Sequence, residues 1–462
     1  MRPVAFTAEE YQADGTIRPA HYAFAETADA GWEVRREGAP HLHLGPGYRL
    51  LEVSHCGICS TDLARRHLPF PLPQVTGHEV VAREETGELV VVEINASHAA
   101  RGLDRTHWCE RCRAGMSTHC PDRLVLGIHD LPGGFSPWIL APTHAVLPVP
   151  SSVSPTTATL VEPFAAALHA ARALGLAAGE RVLVLGPGRL GSLVVAALAA
   201  WRRRTGVAFD ILAAGRRPDA LERARALGAD EVLRLEHAAT LERLAHVVVD
   251  TTGSPDALAL ALRLATREVH VKSTTGQRTL GLAHLTELVV DEIAMAPWTG
   301  VVPAGAASAV VPDGGGEDVK RALVAAGLRV VTADEALALP LVGADVGVAR
   351  TCAEADRLLR PRPGVERGLV RARGTILLTG DADPEGDLTA ALRARALRLT
   401  STRCGDFAAA LDLLADPASG LGHRLGERMV TDVVPAGRLA DGFACAAAGG
   451  GKVVVAHPGA RL

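Results

Sequence analysis

The sequence lacks a strong charge imbalance and lacks any long apolar run. Its 462 residues carry 48 Lys and Arg against 52 Asp and Glu, for a net charge of −4. This balance gives no bulk electrostatic attraction to nucleic acid or to an anionic membrane. The first residues have no apolar core of a secretory signal, and no stretch spans a membrane without charges. We therefore expect a cytoplasmic protein that binds neither nucleic acid nor membrane.

Cysteine is scarce and unevenly placed. Five of the eight cysteines fall within the first 120 residues, in two clusters. A secreted protein stabilised by disulfides would be shorter, and its cysteines would be distributed more evenly along the chain. In a long chain, clustered cysteines more often bind metal or perform chemistry.

The chain is too long to form a single hydrophobic core, and its residue pattern changes along its length. Residues 1–155 are rich in short β-branched runs broken by turn residues. From residue 156, Ala- and Leu-rich helices alternate with valine strands, which predicts a doubly wound parallel sheet and an α/β fold. Within residues 297–396, the stretches 344–361 and 366–381 loosely echo residues 246–276. A partial second unit of the same α/β type and an Ala-rich elaboration both remain open for this stretch.

A glycine turn follows the first clean strand of the α/β region. The run "LGPGRLG" has the spacing Gly186, Gly188, Gly191 and opens a helix. In that context the glycines permit a tight turn, close approach of a pyrophosphate and packing of helix on strand, with the phosphate on the helix N-terminus. The alternative is a glycine turn without a ligand.

The end of the next strand bears on the choice of cofactor. A carboxylate there would bind the ribose 2′-hydroxyl of NAD, but this chain has Gly215 followed by Arg216 and Arg217. Two cations can hold a 2′-phosphate, so we predict NADP(H) over NAD(H). Solvated surface arginines are the alternative. The predicted cofactor-binding residues are Gly186, Gly188, Arg189, Leu190, Gly191, Gly215, Arg216, Arg217 and Thr251.

The segment "HCGICSTDLARR" supplies Cys59, and later stretches supply His78 and Glu162. A thiolate, an imidazole and a carboxylate form a plausible catalytic zinc set with one position open. Thr61 could relay a hydroxyl proton, and Asp62 could fix the tautomer of His78. The two cysteines of this segment also fit a redox pair or buried apolar residues.

The second cluster reads "THWCERCRAGMSTHC". Its Cys109, Cys112 and Cys120 have the spacing of a closed structural zinc site with three thiolates. A fourth ligand is needed, and His107 is the nearest candidate in sequence. A site that has lost its metal is the alternative.

Together these stretches resemble the zinc-dependent alcohol dehydrogenases of the medium-chain dehydrogenase/reductase superfamily. The matching motifs are "GICSTDL", "GHEVV", the second cysteine cluster, "VEPFAAALHA", "LGPGRLG" with "ALGAD", and "TSTRCGDFAAALDLL". The resemblance implies a GroES-like, β-rich catalytic domain over 1–155, completed by about 420–462. It implies a Rossmann cofactor domain over 156–296, resumed at about 397–419, and leaves 297–396 as an α/β insertion.

The resemblance also assigns roles. Cys59, His78 and Glu162 carry over as catalytic-zinc ligands, Glu79 as an exchangeable ligand, and Thr61 as the proton-relay hydroxyl. Cys56 matches a position that is usually not a ligand. The "VEP" carboxylate makes the chain more similar to the polyol, glucose and threonine dehydrogenase branch.

Three features depart from the family pattern. Thr106 stands where the structural-zinc lobe usually has its first cysteine, Ala64 replaces the histidine that often ends the proton relay, and residues 297–396 have no counterpart. The family's usual homodimer or homotetramer is therefore carried over only as an expectation.

The expected function is a zinc-dependent oxidoreductase that transfers hydride between NADP(H) and a secondary alcohol or ketone, on a polyol, sugar or cyclitol. The low aromatic content of 3% disfavours a pocket for a flat aromatic alcohol. Two alternatives stay open: a zinc-free enone or quinone reductase of the same superfamily, and a non-catalytic nucleotide-binding protein that uses the insertion to bind a partner.

Overall fold

The computed structural model describes residues 3–67, 70–273, 276–312, 316–360 and 367–458. The chain divides into two compact units, one formed by Met1–Ala165 with Cys404–Leu462 and the other by Ala166–Arg403. Residues 313–315 and 361–366 of the predicted insertion lie outside the described residues. None of the described helices combines the length and the apolarity that crossing a membrane requires.

The first unit begins with a four-stranded antiparallel sheet. Its strands are β1 (Val4–Tyr11), β2 (Ile17–Glu26), β3 (Trp32–Arg36) and β4 (Ala39–Leu44). Successive side chains of a strand point to opposite faces, and in β2 the alternate residues Ala20, Tyr22 and Phe24 are buried. These residues belong to the same apolar core as the sheet that follows.

The second sheet of this unit has seven strands, which come from both of the chain segments that form the unit. The remaining strands of the unit are β5 (Tyr48–Gly57), β6 (Glu79–Arg83), β7 (Leu89–Val92), β8 (Asn95–Ala96), β9 (Leu124–Val125), β10 (Trp138–Pro142), β11 (Val146–Pro148), β23 (Val430–Pro435) and β24 (Lys452–Ala456). The order across the sheet is β11-β7-β6-β5-β24-β23, with β10 also paired to β5, while β8 and β9 pair with each other. Because β24 lies beside β5, the C-terminal strand is brought next to the strand that precedes Cys59.

Helices of the first unit are short. They are α1 (Ser60–Leu63), α2 (Glu110–Arg113), α3 (Pro155–Ala158), α14 (Phe407–Ala415), α15 (Arg424–Met429) and α16 (Leu439–Ala448), with 3-10 turns at Arg65–His67, Arg105–His107, Ser117–His119, Thr143–Ala145 and Pro417–Ser419. The chain passes from the first unit to the second within α4 (Val161–Ala173).

The second unit is built on one sheet of eleven strands. The strands are β12 (Arg181–Leu185), β13 (Asp210–Gly215), β14 (Glu231–Arg234), β15 (Ala245–Asp250), β16 (Ala265–Val271), β17 (Ala294–Pro297), β18 (Ser308–Val310), β19 (Arg329–Val331), β20 (Ala344–Ala349), β21 (Val370–Leu378) and β22 (Arg398–Ser401). Their order is β14-β13-β12-β15-β16-β22-β17-β21-β20-β18-β19. Central strands such as β12 are near-continuous apolar runs, as expected for a parallel sheet that is covered on both faces.

Helices connect these strands as crossovers. They are α5 (Arg189–Thr205), α6 (Pro218–Leu227), α7 (Leu235–Ala238), α8 (Pro255–Leu264), α9 (Leu285–Val290), α10 (Glu317–Ala325), α11 (Ala333–Leu337), α12 (Cys352–Leu359) and α13 (Leu388–Ala394). The longest, α5, ends at Gly206, whose φ of +69° provides the left-handed cap that glycine adopts without strain.

The eleven strands form two halves that run in opposite directions. All described pairings are parallel except that of β17 with β22, where Met295 faces Leu399. The middle of the sheet lies between β22 and β17. Counted outward from there, the positions in the two halves correspond as β16 with β21, β15 with β20, β12 with β18 and β13 with β19. Strand β22 comes from far along the chain to pair with β16: His270 Nδ1 lies 2.8 Å from Thr400 Oγ1, 130 residues away.

The division of the chain differs from the predicted domains in two respects. Residues 297–396 were predicted as an insertion beside the Rossmann domain, but they add strands to the same sheet and belong to the same compact unit. The stretch 404–419, predicted to resume the Rossmann domain, belongs to the first unit, and the first boundary falls at residue 165 instead of 155.

Candidate metal centres and glycine turn

One buried carboxylate organises the segment that contains Cys59. Cys59 directly precedes α1, and Asp62 is the third residue of that helix. The Asp62 side chain accepts a hydrogen bond from the Cys59 backbone N–H at 2.8 Å and another from the Gly77 N–H at 3.2 Å. Only 1% of Asp62 is exposed. Two loops that are distant in sequence are thereby tied to one side chain.

The imidazole of His78 lies against the same carboxylate. His78 Nδ1 is 3.5 Å from Asp62 Oδ1, which leaves Nε2 as the nitrogen available to a metal. Burial alone would lower the pKa of His78, but the negative charges of Asp62 and of the Cys59 thiolate raise that pKa well above its ordinary value. The preceding Gly77 has φ +94°, and a Cβ there would lie 2.9 Å from Cys56 Sγ, so this turn requires glycine.

The structure brings Cys59, His78 and Glu79 together, each offering a ligand atom within 4.8 Å of the others. A thiol, an imidazole and a carboxylate are donors that zinc prefers, so the residues present fit that metal. Thr61 Oγ1 lies 3.7 Å from Cys59 Sγ, next to the group. Glu162, in the first turn of α4, is not a member of this group among the described residues.

Lys452 is a participant that the sequence did not reveal. Its Nζ lies 2.5 Å from each carboxylate oxygen of Glu79, and the two side chains are only 3% and 0% exposed. Lys452 begins β24, so the pairing of β24 with β5 brings it to the site. A single lysine at the start of the apolar run "KVVVA" was the available signal, and it does not indicate a partner. The buried cation balances the negative charge of Glu79.

A second group lies on the α2 segment. It consists of His98, Cys109, Cys112 and Cys120, again within 4.8 Å of one another. His98 Nδ1 is 3.6 Å from Cys120 Sγ, and its Nε2 is 3.4 Å from a carboxylate oxygen of Asp122. An imidazole that faces thiols with one nitrogen and a carboxylate with the other has the arrangement of an oriented metal ligand.

His98 therefore occupies the place that the sequence suggested for His107. His107 is exposed, and its Nδ1 lies 3.4 Å from Thr106 Oγ1 in the 3-10 turn before the cluster. The signal for His98 was weak, because it stands eleven residues before Cys109 in "NASHAARG" and follows no ligand spacing.

Contacts between the thiols of this second group shift their pKa values. A hydrogen bond from the Cys112 thiol lowers the pKa of Cys120 to about 5, and the same contact raises the pKa of Cys112. The thiolate is the form that binds metal, so the lowered pKa favours the metal-binding form of Cys120.

The predicted cofactor turn joins β12 to α5. Gly186 has φ +83°, and a Cβ at Gly191 would lie 2.3 Å from Gly186 O, so the helix packs directly on the turn. Thr251, after β15, donates its hydroxyl to Gly186 O at 2.7 Å and holds the turn from the neighbouring strand. A Cβ at Gly188 would meet only Gly186 O, at 4.0 Å, which leaves open space over the start of α5 at Arg189 and Leu190.

The two arginines after β13 have different surroundings. Gly215 ends the strand, and a Cβ there would lie 2.9 Å from Pro187 Cδ. Arg217 precedes α6 and binds Asp219 through Nε at 3.1 Å and through Nη2. Arg216 is exposed. Of the two, Arg216 is the cation that is not held by that carboxylate.

Known proteins share sequence similarity with parts of this chain. Residues 45–151 match the alcohol dehydrogenase GroES-like domain. L-galactonate-5-dehydrogenase of Escherichia coli is 33% identical over 178 residues, which is 36% of this chain and 49% of that protein. Sorbitol dehydrogenase of Bacillus subtilis is 27% identical over 254 residues, which is 50% of this chain and 68% of that protein. The chain spans about half the length of the first curated relatives it matches.

Among solved structures, L-idonate 5-dehydrogenase of Escherichia coli superposes with a TM-score of 0.57 at 16% identity, covering 99% of this chain and 100% of that one. At that identity the likeness shows a shared fold.

Proposed function

We propose that this chain, which belongs to the zinc-dependent alcohol dehydrogenase family of the medium-chain dehydrogenase/reductase superfamily, transfers hydride between NADP(H) and a secondary alcohol or its ketone. The observation that supports the proposal is the group of Cys59, His78 and Glu79, in which Asp62 contacts both Cys59 and His78. The substrate class is a polyol, sugar or cyclitol, supported by the relatives named L-galactonate-5-dehydrogenase and sorbitol dehydrogenase.

The side chains at and beside the group of Cys59, His78 and Glu79 have different proposed roles. Zinc held there would act as a Lewis acid toward the alcohol oxygen. Cys59 and His78 provide the donors, and Asp62 orients the imidazole and anchors the Cys59 backbone. Thr61, whose hydroxyl lies beside Cys59, would relay the proton: its oxygen takes the proton of the substrate hydroxyl while its own proton passes on to solvent. The family resemblance makes Glu162 the third protein donor, although the structure groups Glu79 and not Glu162 with Cys59 and His78. Glu79 is then the exchangeable donor, and Lys452 balances its charge.

The second group is proposed as a closed structural zinc site of three thiolates and one imidazole. Its members are His98, Cys109, Cys112 and Cys120. Such sites keep four protein ligands and no open position, so this metal would hold the loop in place and take no part in turnover.

The glycine turn is proposed to hold the cofactor. The N–H groups at the start of α5 face the open space over Gly188, which suits a pyrophosphate. Arg216 is proposed to bind the 2′-phosphate of NADP. A charge-assisted hydrogen bond contributes about 1.5–3 kcal/mol, so Arg216→Ala should lower the preference for NADP over NAD by roughly tenfold to a hundredfold.

The matched comparison is Arg217→Ala, because Arg217 is already bound to Asp219. We expect a smaller loss of NADP preference in that variant, measured as the ratio of kcat/KM for the two cofactors. An equal effect of both substitutions, or tighter use of NAD by the wild type, would contradict this assignment.

Zinc content and turnover test the function together. Zinc per chain is measured by elemental mass spectrometry, and NADP reduction is measured with a panel of polyols, sugars and cyclitols. We expect two zinc ions in the wild type, and loss of one ion and of turnover in Cys59→Ser. The exposed Cys445 supplies the control, since Cys445→Ser should change neither quantity.

Two results would redirect the proposal. Turnover that survives complete zinc removal would favour a zinc-free reductase. Cofactor binding without turnover across the whole panel would favour a nucleotide-binding protein.

A further inference from the structure

We propose that the second half of the eleven-stranded sheet contains its own small-molecule site, which takes an uncharged ring compound that carries several hydroxyl groups. The site lies at the carboxyl ends of β17, β18, β20 and β21. It uses none of the residues of the metal groups or of the glycine turn, so it goes beyond the proposed function.

The topology of this half creates a crevice. From β18 the chain crosses through α10 to β19 at the edge of the sheet, and then returns to β20 on the other side of β18. Connections that leave two neighbouring parallel strands in opposite directions open a gap at their carboxyl ends, and ligands of α/β proteins bind in such gaps. In the first half, β12 has the same relation to β13 and β15, and the glycine turn stands there.

The two crevices open at opposite ends of the strands, because the two halves of the sheet run in opposite directions. Strand β17 runs antiparallel to β22, and β21, β20 and β18 run parallel to β17. The carboxyl ends of the strands in the second half therefore lie at the opposite end of the sheet from the glycine turn. One cofactor molecule cannot occupy both crevices.

A cavity of about 420 Å³ fills the second crevice. Small-molecule sites in proteins span roughly 300–1,000 Å³, so this volume suits a compact ligand. The strand ends contribute Trp298, Val348, Arg350 and Thr379 to its lining, and the first turns of α10 contribute Asp318 and Ala322.

The charges of the lining argue against a phosphate. Arg350 is bound to Glu354 through Nη2 at 2.6 Å and Nε at 3.2 Å, and Glu354 also accepts the Arg350 backbone N–H at 2.7 Å. The positive charge of Arg350 is thus balanced by a carboxylate that is 8% exposed. Asp318 adds a second carboxylate in the first turn of α10, where a phosphate would otherwise be favoured.

A hydroxylated ring fits the same lining. The carboxylate of Asp318 can accept hydrogen bonds from hydroxyl groups, and the hydroxyl of Thr379 can both donate and accept them. Trp298 offers apolar surface to the face of a ring. This chemistry is shared by the ribose of a nucleoside and by a free sugar.

The test is calorimetric titration of the full-length protein with adenosine, D-ribose and inorganic phosphate. Ala322→Trp places an indole in the cavity, whereas Val324→Trp, about 200° around the helix at a position 58% exposed, does not. We expect adenosine to bind the wild type, to bind at least tenfold more weakly to Ala322→Trp, and to bind Val324→Trp unchanged. Asp318→Asn should weaken binding several-fold, and its neighbour control Glu317→Gln should not.

The outcomes separate the sources of the ligand and the fate of the proposal. Binding of D-ribose as well as adenosine supports recognition of the sugar ring alone, and binding of adenosine only supports a nucleoside. Phosphate binding more tightly than both compounds, binding of neither, or unchanged adenosine binding in Ala322→Trp would overturn the proposal. Zinc content and NADP turnover of Ala322→Trp should remain at wild-type levels, so a failure here is distinct from a failure of the dehydrogenase.

Discussion

Replacing Lys452 by methionine removes the cation that faces Glu79 inside the first unit. The two side chains are 3% and 0% exposed, so the carboxylate would be left buried without its cation. Loss of one partner of a buried ion pair destabilises a protein by about 3–5 kcal/mol, and we expect that cost for Lys452→Met in the zinc-depleted protein. The exposed pair of Lys320 with Glu317 is the control, because breaking such a pair costs about 0–1 kcal/mol.

Urea unfolding, followed by circular dichroism, measures the difference. If Glu79 is the cause, then Glu79→Gln in the Lys452→Met background should recover most of the lost free energy of unfolding, because a neutral amide replaces the buried charge. The deficit should also depend on pH. A buried carboxylate without a cation has a raised pKa, so the variant keeps its stability below the unfolded pKa of about 4.3 and loses it as pH rises through the folded value.

The reasoning is refuted by a deficit no larger than that of Lys320→Met. It is equally refuted if the double variant is as unstable as the single one, because the penalty would then have another origin.

Two further outcomes follow from the same structure. His98→Asn should release the structural zinc, whereas His107→Asn should retain it, as measured by zinc per chain; retention in both variants would reject His98 as a ligand. Burial raises the pKa of Glu93 to about 7. Wild-type stability should therefore fall by up to about 3 kcal/mol as pH rises from about 4.5 to above 7, and Glu93→Gln should flatten that part of the thermal-stability profile; an unchanged slope in the variant would show that Glu93 is not responsible.

The sequence predicted the parts of the site whose geometry is local. Asp62 was expected to face His78, and its Oδ1 lies 3.5 Å from His78 Nδ1. The hydrogen bond from the Cys59 N–H to Asp62 was not predicted, although both residues share one turn. Lys452 could not be predicted, because it lies 373 residues from Glu79 and reaches it only through the pairing of β24 with β5. His107 is nearer to the cysteines in sequence, but its turn exposes it to solvent, while the fold places His98 against them.

The same limit applies to the insertion. Its strand–helix alternation was visible in the sequence, and its echo of residues 246–276 matches the correspondence of β20 and β21 with β15 and β16. The edge of the sheet that these strands join depends on pairings between distant residues. No local pattern encodes such a pairing, so a separate insertion was predicted where the structure has one continuous sheet.

The position of β22 between the two halves also sets the order of events during synthesis. Strand β16 emerges from the ribosome well before the residues that complete its ladder, since His270 and Thr400 are 130 residues apart. At roughly 5–20 residues per second, that interval is on the order of ten seconds, and one side of β16 stays without its partner throughout. An open strand edge invites pairing with other chains, and charged side chains on the edge discourage it. We expect the charged Arg267 and Glu268 of β16 to discourage such pairing until β22 completes the ladder.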